Sequence, residues 1–352
     1  MINPVAIRLL NQQLISPQFN NPTEIVSHLG AMQAQDYRMM RWAVAMRTKK
    51  PSEETFREAY NSGEIIRMHL QRCTWQLITA KDYGWMLELF APKSLSTLNG
   101  WMKSNKINIP EDELLTIHRI IIDTVSDRKD ITKEDITETL VQHGFLMDDH
   151  RISYHLRLAE LNGCLVSGDL HPSKATYCLA ENKIHPTAKL SRDEALSLLT
   201  TKYFQSRSPA TLEDYVWWSG LNAGDCKRGI QLLGNRLHTE NWKGRTFYLL
   251  DTCRTKGFRK GCTHLLPPFD EYLIGYKSRD VVLATEHRHH AHNNSGIFYP
   301  IIAKNGEICG NWSPYKSTLQ TEIFAPDIVI DLEKNWQAYQ KQRNYKTCQS
   351  NK

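Results

Sequence analysis

Along most of the chain the apolar positions fall at helical spacing, broken by short strand-like runs and by glycine or Asn-Gly stops. Pro4 to Leu14 reads as a first helix. A second opens at Asn21, where asparagine caps, Pro22 suits the first helical position and Glu24 completes a capping box. Ile25, Val26 and Leu29 supply its buried stripe, and Gly30 is its stop. Met39, Met40, Trp42, Ala43 and Met46 restart a helical pattern, and Ser52 to Tyr60 gives another, ended by Asn61-Ser62-Gly63. Glu64 to Leu70 and Cys73 to Ile78, separated by Gln71-Arg72, then predict a β-hairpin.

Helices followed by a hairpin is the order of a winged helix-turn-helix, and it returns twice although the copies share little sequence. Thr79 to Lys103 is a helical bridge. The second copy has Leu114, Ile117, Ile121 and Val125 at helical spacing, a helix opened by Thr132 with Asp135 and closed by Gly144, and a recognition helix from His150 to Leu161 capped by Asp148 or Asp149. Cys164 to Ser167 and Thr176 to Ala180 form its wing. The third copy opens at Ser191 with Glu194, continues through Thr211 to Ser219 and Ala223 to Leu233, and ends in a hairpin across Lys243-Gly244. Trp217 and Trp218 are expected in its core. From Leu265 the texture changes: Leu265 to Asp270 has a buried-turn pattern, and Val281 to Ala284, Gly296 to Ala303 and Glu307 to Trp312 read as strands. Leu332 to Tyr345 reads as a polar helix and Lys346 to Lys352 as loose tail. The expected fold is therefore α+β, with three tandem winged helix-turn-helix units at 1-105, 106-190 and 191-262 and a β-rich C-terminal domain at 263-352.

Composition narrows this reading without deciding it. With 352 residues and 41% hydrophobic content the chain can build more than one core. A net charge of +6 and 14 histidines suit a nucleic-acid partner. The eight cysteines show no C-x-x-C pair, and Met1 to Leu14 lacks a secretory apolar stretch, so a reducing cytoplasm is expected. No apolar run approaches the roughly 20 residues of a membrane helix.

Four blocks resemble a known family. They are Gly30 to Tyr37 with its Gln33-Ala34-Gln35-Asp36, Arg72 to Ile78, the long Ser208 to Leu221, and Leu265 to Arg279 ending in Tyr272-Leu273-Ile274-Gly275-Tyr276-Lys277-Ser278-Arg279. Together they resemble the bacterial winged-helix proteins that include the AlkZ-like and YcaQ-like DNA glycosylases, which excise alkylated bases and unhook interstrand crosslinks. The resemblance implies that three winged helices build a concave basic channel for duplex DNA and that the Gln-x-Gln, here Gln33 and Gln35, is catalytic. The YcaQ-like branch carries Asp where Gln35 stands, so the chain looks closer to the AlkZ-like branch. It departs from the family in having Thr74-Trp75-Gln76 where a histidine is usual in the third place.

Two neutral amides suit that chemistry. A ring-nitrogen-alkylated purine already carries positive charge and leaves without a protonated side chain, so what remains is to steer water and stabilise the cationic sugar. One glutamine would orient water and the other would turn its oxygen toward the oxocarbenium ion, the assignment staying open. Asp36 is either a rival base or a capping carboxylate for the next helix. No lysine lies beside the pair in sequence to suggest a Schiff-base step. Arg38, Arg41, Arg67, Arg72 and Lys277 are candidate phosphate contacts, and Trp75 either stacks on bases or packs in the core. His289 and His290 belong to the segment Glu286 to His292, read as a polar hairpin tip touching phosphate; its adjacent histidines lack zinc-ligand spacing, so no metal is expected. The expectation is a monofunctional DNA glycosylase acting on duplex DNA without cofactor, with no obligate protein partner. The alternative is a non-enzymatic winged-helix DNA-binding protein or transcription regulator, while a nuclease would want clustered acidic metal ligands that the sequence lacks.

Overall fold

Capping chemistry sets the first elements. Asn3 accepts the Ala6 N–H and opens α1 (Pro4–Asn11), while Asn21 and Glu24 form the capping box of α2 (Pro22–Leu29). Helix α1 ends at Asn11, short of Leu14, where Gln13 turns through φ 61°. Gly30, at φ 77°, ends α2, and the chain enters the two-residue strand β1 (Met32–Gln33), a turn, and α3 (Met40–Ala45). The computed structural model describes residues 3–185, 187 and 189–344, so the tail expected to be loose lies outside the described residues. Its contacts divide the chain into two compact units, Met1–Phe56 with Leu196–Lys352, and Arg57–Ala195. Helix α4 (Glu53–Asn61) carries the chain across the division.

The second unit is mixed helix and sheet. Strands β2 (Ile65–His69) and β3 (Trp75–Thr79) pair antiparallel, with His69 opposite Trp75. Their connection holds a short 3-10 turn in which Arg72 and Cys73 take φ 54° and 55°, a longer link than the expected two residues. Helix α5 (Ala80–Ser104) is the expected bridge, with Pro92 inside it. Then come α6 (Glu111–Val125), β4 (Ile131–Thr132), α7 (Lys133–Gln142), α8 (Asp149–Leu161, capped by Asp148), β5 (Leu165–Ser167) and β6 (Thr176–Leu179). Strand β4 joins the hairpin, giving the order β4-β6-β5. Ile117, Ile121, Val125, Ile136, Leu140, Ile152 and Leu156 interlock around Leu165 and Tyr177. Each such buried side chain contributes about 1.5–3 kcal/mol.

Helix α9 (Arg192–Arg207) returns the chain to the first unit, opened by the reciprocal Ser191–Glu194 box. Thr211 and Asp214 box α10 (Leu212–Ser219), Gly220 stops it in the left-handed region, and Asn222 caps α11 (Ala223–Leu233). Strands β7 (Leu237–Trp242) and β8 (Arg245–Leu250) turn through Lys243 and Gly244, both at positive φ as a tight hairpin requires. Trp218 is buried as expected, but Trp217 is an exposed edge, because its indole N–H reaches only as far in as the Ile274 carbonyl.

The rest of this unit holds β9 (Thr263–Leu266), α12 (Glu271–Ile274), α13 (Arg288–Ala291), β10 (Ile301–Lys304), β11 (Glu307–Tyr315), β12 (Thr318–Ile323) and α14 (Glu333–Asn344). The strands form one antiparallel sheet in the order β12-β11-β10-β9. Period-two alternation serves both faces: Leu266, Ile301, Ala303 and Ile308 join Leu273, Val282 and Phe298, while Leu265, Ile302, Cys309 and Trp312 pack with Trp336 and Tyr339 of α14. Two expectations are corrected here. Leu265-Leu266 is strand, not turn, and Val281 to Ala284 is a turn that buries Val281, Val282 and Leu283 in the core and leaves Ala284 exposed. Periodicity cannot separate those cases in so short a run. No helix among the described residues is long and apolar enough to cross a membrane.

Candidate active site

The two glutamines sit side by side in different settings. Gln33 ends β1 and is 7% exposed, whereas Gln35 lies in the following bend and is open to solvent. Ala31, Met32 and Ala34 around them are buried, so the strand is seated in the core and its continuation emerges from it. Asp36 Oδ1 accepts the backbone N–H groups of Arg38 and Met39, each at 2.9 Å. The carboxylate therefore caps the turn into α3, as one of its two expected readings required.

Beneath this strand lies a charged clamp that the sequence reading missed. Arg207, fully buried at the end of α9, donates through Nη1 to the Leu29 carbonyl (2.8 Å) and through Nη2 to the Ala31 carbonyl (2.9 Å). Its Nε and Nη2 both donate to Glu271 Oε2, while Glu271 Oε1 accepts the Gln33 backbone N–H at 2.7 Å. Glu271 begins α12, whose cap, Asp270, is held by a two-pronged bond from Arg47 at 2.8 and 2.9 Å. A side chain at Gly275 would meet the Glu271 carbonyl oxygen at 2.5 Å, so this close approach requires glycine. The available signal was a pair of acids, Asp270-Glu271, set among Pro268, Phe269, Tyr272 and Leu273: charges inside an apolar block are buried in pairs.

Lys202, distant in sequence, is brought against Gly30, where an added Cβ would lie 2.9 Å from Lys202 Cβ. Its ammonium donates to the Ser27 carbonyl at 2.9 Å, which occupies it in ending α2. His28, at the last turn of that helix, bonds through Nε2 to the Asn11 carbonyl oxygen (2.7 Å), and burial with nearby Arg207 and Lys202 lowers its pKa to about 4.

The candidate DNA contacts separate by burial. Arg38, Lys277 and His289 are exposed in the first unit, and Arg72 is half-buried in the second. Arg41 and Arg67 are corrected: Arg41 is 6% exposed and paired with Glu53 at 3.1 Å, and Arg67 is 3% exposed with its guanidinium 3.7 Å from the Trp75 ring centre. Both cations are held inside the protein instead of facing phosphate. Trp75 is half-buried between Arg67 and the His69 ring, 3.8 Å away. The segment with His289 and His290 is a short 3-10 and α-helical turn instead of a hairpin tip. Those two rings lie 3.9 Å apart beside Tyr299, Gln320 and Glu322 on an open hollow of the C-terminal sheet. Among the described residues no group of three or more His, Cys, Asp or Glu side chains is placed to hold a metal.

The fold is shared with a solved DNA glycosylase. The chain superposes on Streptomyces sahachiroi DNA glycosylase AlkZ with a TM-score of 0.71 at 20% identity, covering 97% of this chain and 96% of that one. A curated relative from the same organism, named interstrand DNA cross-link repair glycosylase, is 25% identical over 318 residues, 86% of this chain and 85% of the relative. The family description "DNA glycosylase AlkZ-like" matches residues 26–327, and the chain belongs to that family. It is a DNA glycosylase, and the alternative of a non-enzymatic regulator does not stand.

Proposed function

We propose that the chain hydrolyses the N-glycosidic bond of cationic alkylated purines in duplex DNA, with Gln33 and Gln35 as the catalytic pair. The observation that carries the reading is that Glu271, the carboxylate bonded to the Gln33 backbone, has both oxygens engaged, by Arg207 and by the Gln33 N–H, while Asp36 is committed through Oδ1 to capping the turn that follows Gln35. These carboxylates serve the backbone around the pair, and a positively charged leaving group needs no acid to protonate it. The bond electrons pass to the alkylated ring nitrogen, the base departs neutral, and water adds to the sugar carbon and releases its proton to solvent. One amide oxygen orients that water, and the other stabilises the oxocarbenium charge.

The element order supports three winged helix-turn-helix units at 1-105, 106-190 and 191-262 and a β-rich domain at 263-352, the first of these running across the division between the compact units. Arg38, Arg72, Lys277, His289 and His290 are proposed to contact the DNA backbone. The relative's name extends the proposal to interstrand crosslinks, and a cytoplasmic repair enzyme acting without cofactor or protein partner fits the reading. Base release from alkylated duplex DNA, compared between the wild type and a Gln33→Ala, Gln35→Ala double variant, tests it. The wild type should release base and the variant should bind without releasing it; equal release by both would end the proposal.

A further inference from the structure

We infer that Arg207 and Glu271 are positioning residues for the glutamine pair, acting as a side-chain substitute for a neighbouring strand. In extended backbone the N–H and C=O of one residue point to the same side, and residues two apart share that side. Of the groups bound here, the Ala31 carbonyl and the Gln33 N–H are on alternate residues along one edge of the chain entering β1, and the Leu29 carbonyl is the last of α2. A β-strand in that place would offer donors and acceptors in turn. The Arg207 fork supplies the donors, and the free oxygen of Glu271 supplies the acceptor.

The arrangement uses features that only this pair of side chains combines. Arg207 spans two carbonyls and a carboxylate at once because its donors lie in a fixed planar fork. Glu271 accepts on both sides because a carboxylate has an acceptor at each oxygen, whereas an amide of the same shape has one acceptor end and one donor end. The guanidinium lies 4.4 Å from the centre of the buried Trp218 ring, which fixes its plane. The strand thus reaches the glutamines with its backbone already fixed, and little is left to reorganise when substrate arrives.

This inference rests on Gln33 and Gln35 being catalytic, and the test keeps the two apart. The variants are Glu271→Gln, isosteric but able to satisfy only one side, and Arg207→Lys, which keeps the charge and loses the fork. The readouts are the single-turnover rate of alkylated-base release at saturating enzyme, which does not depend on the folded fraction, and affinity for duplex bearing a tetrahydrofuran abasic analogue. Both variants should lose about 10²-fold in rate, the cost of a displacement near 1 Å, with affinity and far-ultraviolet dichroism unchanged. Wild-type rates in both, or affinity falling as far as rate, would overturn the inference while the glutamine double variant stays inactive. If the double variant itself retains the wild-type rate, the catalytic reading falls and takes the inference with it.

Discussion

Glu271 in the first unit and Glu160 in the second are both buried carboxylates, 3% and 0% exposed, and each has a cationic or potentially cationic partner. Glu271 has both oxygens engaged, by Arg207 and by the backbone of the candidate catalytic strand. Glu160 Oε2 accepts from His69 Nδ1 at 2.5 Å and from the His69 backbone N–H at 3.4 Å, and its Oε1 has no hydrogen-bond partner. Burial holds the His69 pKa below its usual value, against the opposing pull of Glu160. The first pair joins a guanidinium to a carboxylate and holds backbone groups of three other residues; the second has a histidine partner and holds only that residue's own N–H. A buried ion pair is worth keeping where other groups depend on it, and is otherwise close to replaceable.

The sharpest break of that contrast is Arg207→Ala. It leaves a buried carboxylate and two backbone carbonyls, those of Leu29 and Ala31, without their donor, and is expected to cost about 3–5 kcal/mol in urea unfolding. Replacing each pair whole separates the two further. Arg207→Met with Glu271→Met should still lose about 3 kcal/mol, since three backbone groups lose partners at about 1 kcal/mol or more each. His69→Phe with Glu160→Leu should stay within about 1 kcal/mol of wild type. Equal losses from the two double variants would show that the clamp has no special tie to the strand.

The titrating side of the comparison extends to His155 in the second unit, 3% exposed, whose pKa burial lowers to about 4, helped by Arg151 and His118. The folded unit keeps this ring neutral while the unfolded chain takes up a proton near pH 6.5, so stability is full above that pH and falls as pH drops toward 4. The loss at the acid end is at most about 3 kcal/mol. Melting curves at pH 7.5 and 5 should show a smaller acid-side drop in His155→Phe; an unchanged drop would assign the acid sensitivity elsewhere. His28 adds the same sign of effect in the first unit. The smallest expected effect is at the surface: Lys277→Ala should weaken duplex binding by about 1 kcal/mol or less and lower the salt slope by about one, read by titration at several salt concentrations.

Much of the fold was legible because its signals are local. Capping boxes at Asn21, Thr132 and Ser191, and stops at Gly30 and Gly144, fall where the sequence predicts. The exceptions lie in the C-terminal sheet, where Val281 to Ala284 is apolar without being strand and β12 is so polar that it leaves no pattern. The candidate pair Gln33 and Gln35 came from the family resemblance, since a Gln-x-Gln by itself is a weak signal. The list of cations around it was weaker, because composition cannot show that Arg41 has Glu53 beside it or that Arg67 lies against Trp75.

The sequence by itself determined the order of helices and hairpins and most of the capping and stopping points, since each depends on residues within a few places of one another. Tertiary structure alone decided which charges are spent and which stay free. Arg207 meets Leu29 across 178 residues and Gln33 meets Glu271 across 238, and pairing over such distances follows from packing, which no local pattern encodes.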